Sequence, residues 1–257
     1  MSPNFQTFQQ LHRSGDLFVL PNAWNPHSAK LLQEKKFSAI ATSSAAVAQS
    51  LGYDDGEAMP FWDYLFVVTR ILSSIQVPLS VDMEMGYGSS DAEIFDNLRK
   101  LIDLGVAGIN IEDSVITGGV RTLKEASAFT RTVAFIREKL DAVRLDCFIN
   151  IRCDTFLLGV EGKEQETNQR IKLYEKAGAD GIFLPCIVKE QDIAEAVNAT
   201  TLPVNVMCFP GLPGFDVLYK LGVKRVSMGP FLFSKVYGNI DQYAEAITAG
   251  NDLSSIL

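Results

Sequence analysis

Eight short apolar runs rich in β-branched residues recur along this chain, with helical stretches between them. No other feature constrains the fold as much. The runs lie at residues 17–20, 39–43, 79–82, 108–112, 147–152, 181–184, 204–207 and 225–228, and amphipathic stretches cover 91–104, 123–140, 165–177, 189–198 and 215–221. Several helical stretches end on a glycine stop, at Leu104-Gly105, Ala177-Gly178 and Leu221-Gly222. Glycine adopts the left-handed backbone that closes a helix at no steric cost. The pattern Leu-Gly-Val-Ala-Gly-Ile at 104–109 returns as Ala-Gly-Ala-Asp-Gly-Ile at 177–182, so stop, turn and next strand repeat as a unit. Eight such units in about 250 residues predict a (β/α)8 TIM-type barrel, an α/β fold. The alternative, a doubly wound sheet, more often carries a glycine-rich loop after its first strand. Here the first run leads into Leu20-Pro21-Asn22-Ala23-Trp24. No linker or low-complexity segment interrupts the pattern, so residues 1–257 are expected to form one barrel domain.

Charge and cysteine usage narrow the function classes. A formal net charge of -8 and a pI of about 4.9 argue against a nucleic-acid footprint. Cys147, Cys153, Cys186 and Cys208 form no Cys-x-x-Cys pair and lie in or beside apolar runs, which reads as buried thiols in a reducing cytosol. The competing reading lets Cys153 or Cys186 reach an active site. Only His12 and His27 are present, too few for a histidine-built zinc site. With no basic-then-apolar leader and no apolar run of 18 residues or more, the expectation is a cytoplasmic protein without membrane contact.

In a barrel, chemistry collects at the C-terminal ends of the strands. Those ends supply Asn22, Ser43-Ser44, Asp82 with Glu84, Asn110 with Glu112 and Asp113, Asn150 with Arg152 and Asp154, and Asn205. Side chains alternate with period two along a strand, which places Asp82 with Glu84 and Asn110 with Glu112; with Glu112 facing the lumen, its neighbours are Asp82, Glu84 and Arg152. Two acids so placed repel unless a cation or protons neutralise them. Carboxylates with water suit Mg2+, with Mn2+ as a substitute, and Arg152 could grip a substrate carboxylate in a bidentate fork. The competing reading is a structural ion-pair network capping the barrel. Small residues after the second strand, Ser43-Ser44-Ala45, would let backbone N–H groups approach an oxyanion, and Asp54-Asp55-Gly56 marks a turn.

From about Leu20 to Met228 these residues resemble the isocitrate lyase/phosphoenolpyruvate mutase superfamily. The most specific element is its Asp-Ala-Asp-x-Gly-Tyr-Gly type motif, present as Asp82-Met83-Glu84-Met85-Gly86-Tyr87-Gly88. Ser43-Ser44-Ala45 with Leu51-Gly52, then Asp55, Glu112-Asp113 and Ile151-Arg152-Cys153-Asp154-Thr155 match further family segments. The resemblance implies a Mg2+-dependent enzyme acting on a small 2-oxo or 2-hydroxy carboxylate, with C–C or P–C chemistry through an enolate-type intermediate. It implies Asp82 as direct metal ligand, with Glu84, Glu112 and Asp55 holding metal-bound waters. Ser43, Ser44, Ala45 and Arg152 would hold substrate, Asn205 is a further substrate-contact candidate, and Ser43, Arg152 and Asp55 are the catalytic candidates. A homo-oligomer, dimer or tetramer, with the last barrel helix exchanged between subunits, is also implied.

The chain departs from the family after the fourth strand. Family lyases place a Lys-x-Cys-Gly-His loop there, whereas this chain continues Ser114-Val115-Ile116-Thr117-Gly118-Gly119-Val120-Arg121. The expected reaction is therefore cleavage by a lyase or hydrolase whose proton carrier is Tyr87, Asp55, Arg121 or water. The alternatives are a phosphonate enzyme of the mutase or phosphonopyruvate hydrolase type, with Gly229-Pro230 and Arg225 as candidate phosphonate donors, and a carboxylate binder without turnover.

Overall fold

Pro21 has no N–H to give to a sheet, and it divides the first strand into two short pieces that pair in opposite directions around the molecule. A computed structural model describes residues 2–257. Its strands are β1 (Phe18–Leu20), β2 (Asn22–Ala23), β3 (Ile40–Thr42), β4 (Leu79–Asp82), β5 (Gly108–Glu112), β6 (Ser114–Thr117), β7 (Val120–Leu123), β8 (Phe148–Arg152), β9 (Gly181–Leu184), β10 (Val204–Met207) and β11 (Arg225–Ser227). Its helices are α1 (Pro3–Arg13), α2 (Pro26–Glu34), α3 (Ser44–Ser50), α4 (Phe61–Leu72), α5 (Asp91–Asp103), α6 (Ala126–Val143), α7 (Thr155–Leu158), α8 (Lys163–Lys176), α9 (Glu190–Asn198), α10 (Phe215–Lys220) and α11 (Phe231–Gly250). The main sheet runs β1-β11-β10-β9-β8-β5-β4-β3-β2 with every pair parallel. Because β1 and β2 are consecutive across Pro21, its two ends meet and the sheet closes. This is the expected (β/α)8 barrel, and each of the eight expected runs contributes a strand.

The repeated glycine stops act as the sequence suggests. Gly105, Gly178 and Gly222 have φ of 99°, 97° and 89°, the left-handed backbone that ends α5, α8 and α10. Between barrel and helices lies a core of aliphatic residues such as Ile109, Ile149, Ile182 and Val206.

Among the elements that the sequence did not single out, two shape the ends of the barrel. The first is α1, capped by Ser2, whose side chain accepts the Phe5 N–H at 3.2 Å. Phe5, Phe8 and His12 recur at helical spacing and face inward, and Phe5 and Phe8 join Leu20, Ala39, Ala41, Ala107 and Phe148 in a second apolar cluster. The helix thereby closes the N-terminal end of the barrel. Gly108 makes this possible: a Cβ there would stand 2.8 Å from Phe8 Cε1. The second is the antiparallel hairpin β6–β7, formed by the segment read as a short loop. Among the described residues no helix is long and apolar enough to cross a membrane.

Candidate active site

A cavity of about 380 Å3 opens at the C-terminal mouth of the barrel. Its polar side is built from Asn22, Ser43, Ser44, Ala45, Asp55, Asp82, Asn110, Arg121 and Arg152, and Leu157, Phe183, Pro185 and Met207 form an apolar wall. The strand ends and the loop after α3 thus bring Ser43, Ser44, Ala45, Asp55, Asp82 and Arg152 together. The remaining expected site residues, Glu84, Glu112 and Asn205, do not line this space.

Asp82 is held on all sides but one. Its backbone N–H donates to Thr42 Oγ1 at 3.0 Å, and its carbonyl accepts from Tyr64 Oη at 2.9 Å. Thr42 Oγ1 and Tyr64 Oη lie 2.6 Å apart and complete a buried clamp from β3 and α4. Asp82 Oδ2 accepts from Ser44 Oγ at 2.7 Å, while Oδ1 is buried with no hydrogen-bond partner. Burial pushes the carboxyl pKa up, against the pull of Arg152 and Ser44. A buried carboxylate oxygen without a donor is costly, and a cation removes that cost.

Glu84 does not share a face with Asp82. Strand β4 ends at Asp82, and Glu84 takes a φ of 49°, which breaks the period-two alternation. Its Oε1 accepts from Tyr87 Oη at 2.7 Å and its Oε2 from the Glu57 N–H at 2.8 Å. Glu57 Oε1 in turn accepts the Tyr87 N–H at 2.7 Å. Glu84 therefore fastens the loop after α3 to the loop after β4. Burial first, with the Asp55 and Asp82 charges adding to it, pushes its pKa up to about 8. Tyr87, a candidate proton carrier from sequence, spends its hydroxyl on this latch.

Glu112 and Arg152 belong to an ion network. Glu112 Oε1 accepts from Arg121 Nη1 and from Ser114 Oγ, the latter at 2.9 Å. Glu112 Oε2 lies 2.9 Å from Arg152 Nη1, close enough for an ion pair but off the angle of a hydrogen bond. The Arg152 fork, expected on a substrate, is turned onto Asp154: Nε reaches Oδ1 at 2.7 Å and Nη2 reaches Oδ2 at 3.2 Å. Ser114 Oγ also lies 2.8 Å from Asp154 Oδ2, so its single proton serves one of the two carboxylates at a time. Part of the charge at the strand ends is thus the ion network that sequence offered as the competing reading. Period two splits Asp113 from Glu112. Asp113 accepts from Tyr174 Oη at 2.8 Å and Arg170 Nη1 at 3.1 Å, outside the cavity.

The remaining expectations divide similarly. Ser43 caps α3, its hydroxyl accepting the Ala46 N–H at 3.3 Å. Asn205 lies beneath the cavity and donates to Asn150 Oδ1 at 2.6 Å. Arg225, offered as a phosphonate donor, is fully buried in the lumen and does not line the cavity. Cys147 and Cys153 are buried as expected, but Cys186 is half-buried and Cys208 exposed, and none of the four lines the cavity. Arg121, named from sequence only among several proton carriers, comes in on β7.

The donor set fits Mg2+. Four carboxylates at or beside the cavity, Asp55, Asp82, Glu112 and Asp154, face two guanidiniums, and a divalent ion balances them. No three Asp, Glu, His or Cys side chains converge as a direct ligand set among the described residues. Mg2+ needs only one or two carboxylates and keeps its waters. Asp82 is placed to be a direct ligand, and Asp55 faces the same space.

Comparison with known proteins identifies the family. The phosphoenolpyruvate phosphomutase family model matches residues 8–248. An uncharacterized protein of Mycobacterium tuberculosis (strain H37Rv) is 35% identical over 247 residues, 96% of this chain and 91% of its own. The oxaloacetate decarboxylase of Pseudomonas putida (strain KT2440) is 28% identical over 231 residues, 86% of this chain and 77% of that enzyme. A Burkholderia cenocepacia J2315 crystal structure, described as a candidate phosphonomutase, superposes with a TM-score of 0.88 at 31% identity, covering 95% of this chain and all of its own. With its strand-end motifs, its barrel and a family match along nearly its whole length, this chain belongs to the phosphoenolpyruvate phosphomutase family, within the isocitrate lyase/phosphoenolpyruvate mutase superfamily.

Proposed function

We propose that this protein is a Mg2+-dependent carbon–carbon lyase of small 2-oxo carboxylates, and that it decarboxylates a 3-carboxy-2-oxo acid of the oxaloacetate type. The carrying observation is the cavity itself. It joins Asp82, with its orphaned oxygen, to two guanidiniums; among the described residues no His, Cys, Lys or Tyr side chain lines it, and in this reading the Asp55 carboxylate holds the metal's waters. Cleaving a 2-hydroxy acid by retro-aldol chemistry needs a base for the hydroxyl proton. Decarboxylation does not: the C3–C4 bond breaks, CO2 leaves, the electron pair enters the C2 carbonyl as an enolate, and C3 then takes a proton from water. The Pseudomonas relative named for this reaction supports the choice.

A bound divalent cation supplies Lewis-acid stabilisation for the oxygen that gains charge. The chain's own residues do the rest. Arg152, immobilised by Asp154 and Glu112, presents positive charge without reorganising. The backbone of Ser44 and Ala45 at the start of α3 lines the cavity, where it orients the substrate carboxylate. Arg121, carried on the β6–β7 hairpin, adds a second guanidinium to the cavity. A phosphonate reading draws on the family name, and Gly229 and Pro230 do line the cavity, yet the Gly229 N–H is spent on Asn22 Oδ1 and Arg225 does not reach the cavity.

The test is pyruvate release from oxaloacetate with Mg2+ or Mn2+, against Asp82→Ala as background, beside malate-type acids and phosphonopyruvate. Turnover confined to the 2-oxo diacid is expected. Phosphate release from phosphonopyruvate would replace this reading with the phosphonate one. Oxalate binding without turnover of any 2-oxo acid would leave only a carboxylate binder.

A cytoplasmic, single-domain homo-oligomer belongs to the same proposal. Four free cysteines support a reducing compartment. Val236, Tyr237, Ile240 and Tyr243 leave an exposed apolar face on α11 that a second copy would cover. Sedimentation of the wild type as a dimer or tetramer, and of Ile240→Lys as a smaller species, is expected.

A further inference from the structure

Beneath the cavity floor the barrel lumen is polar where such barrels usually pack branched aliphatic side chains. Arg225, Asn205, Asn150 and Asn110 fill it, with Arg225, Asn205 and Asn150 fully buried. Among the described residues Arg225 makes no ion pair. It touches His12 Nε2 at 3.3 Å through Nη1 and Asn110 Oδ1 at 3.1 Å through Nη2, and its Nε has no partner. The His12 Nδ1–H is committed to the Phe8 carbonyl at 2.8 Å, so the nitrogen facing Arg225 is the neutral acceptor. Burial pulls the Arg225 pKa down to about 9, against the field of Asp82.

A guanidinium has donors and no acceptor, and this settles the direction of every amide above it. The Asn110 atom facing Arg225 must be its carbonyl oxygen. The Asn150 atom facing that same oxygen, at 2.8 Å, must then be its NH2. Asn150 Oδ1 is left to accept from Asn205 Nδ2 at 2.6 Å, and Asn205 Oδ1 ends the series without a partner. Asn110 therefore has its oxygen saturated from below by two donors. No protein group accepts from its Nδ2 among the described residues, and Asn110 lines the cavity.

We propose that Asn110 is a substrate-binding residue that donates its amide N–H to an oxyanion in the cavity, and that Arg225 is the positioning residue that holds it in that orientation. The proposal rests on the reading of the cavity as a small-carboxylate site. It also accounts for a buried cation without a carboxylate partner, which costs far more than an aliphatic side chain would at that position.

The test uses oxalate with Mg2+, a mimic of the pyruvate enolate, measured by calorimetry on the full chain. Wild type binds oxalate. Asn110→Ala lowers affinity by about 10- to 100-fold, as expected for loss of a hydrogen bond to a charged acceptor. Asn110→Asp lowers it further, because a carboxylate then faces an anion. Arg225→Lys, also a donor without an acceptor, keeps affinity within a few-fold. Arg225→Gln, which can present either end of its amide, loses it to the extent of Asn110→Ala. In wild type the Asn110 side-chain NH2 resonances, identified by their absence in Asn110→Asp, shift on adding oxalate. Wild-type affinity in Asn110→Ala overturns the proposal, and equal affinity in the Lys and Gln variants overturns the role of Arg225. If Arg225→Gln does not fold, the Asn110 variants and the resonance shift still decide. Failure of wild type to bind oxalate with Mg2+ would instead overturn the reading of the cavity.

Discussion

Asp82 and Glu84 are two acids separated by one residue, and the fold puts them to different uses. Asp82 lines the cavity and keeps one buried oxygen without a partner, while both Glu84 oxygens are spent on a latch. Asp82→Ala is expected to keep the fold and to lose the thermal stabilisation that Mg2+ gives the wild type; unchanged Mg2+ response would remove Asp82 from the metal. At the other end of the barrel, His12 is fully enclosed, and its pKa is lowered well below the ordinary value of 6.5 by burial and then by Arg225. The folded protein keeps His12 neutral where the unfolded chain takes up a proton. Below pH 6.5 the unfolded state thus binds more protons, and stability falls with pH, by up to about 1.4 kcal/mol per pH unit. His12→Gln removes this contribution. Denaturation midpoints at pH 7 and pH 5 should fall less in the variant than in the wild type.

Among elements, the β6–β7 hairpin decides what the cavity contains, because it carries Arg121. It rests on the loop after α3. Gly56 has a φ of 91°, and a Cβ there would lie 2.2 Å from Ile116 Cδ1. Gly56→Ala is expected to cost about 1–3 kcal/mol through backbone strain and displacement of the hairpin. Ile116→Ala combined with it should recover part of the loss in urea unfolding, which strain at Gly56 alone would not allow. The closing helix α1 depends on packing instead: Phe8→Ala should cost about 3–5 kcal/mol. Neither element was legible in the sequence. The hairpin strands are half-exposed around Gly118-Gly119 and lack the apolar run of a barrel strand. The α1 segment follows helical spacing, but its apolar positions gain meaning only from the open barrel end they fill.

At the scale of the molecule, one side chain reinforces the backbone pairing that closes the barrel. Asn22 Nδ2 donates to the Thr42 carbonyl at 2.7 Å, and Asn22 Oδ1 accepts the N–H groups of Met228 and Gly229, each at 2.9 Å. It ties β3 to the segment after β11 across the seam left by Pro21. Asn22→Ala leaves three backbone groups without partners and should destabilise the whole barrel by roughly 2–4 kcal/mol. Asn22→Asp, which still accepts, should cost less in the same urea titration. The chain by itself determined the eight strands, the glycine-stopped helices, the barrel and the strand-end residues from which the site is made. Those signals are local, carried by side-chain period and by residues suited to a left-handed turn. Which of the strand-end residues reach the cavity was decided only in three dimensions. Glu84 left the face of Asp82 because the strand ended two residues earlier, and Arg152 turned to Asp154 because Glu112 and Ser114 converge beside it. Asn110 acquired its role from an arginine 115 positions away. Partner choice depends on register and on donors brought from distant strands, and no local pattern encodes those.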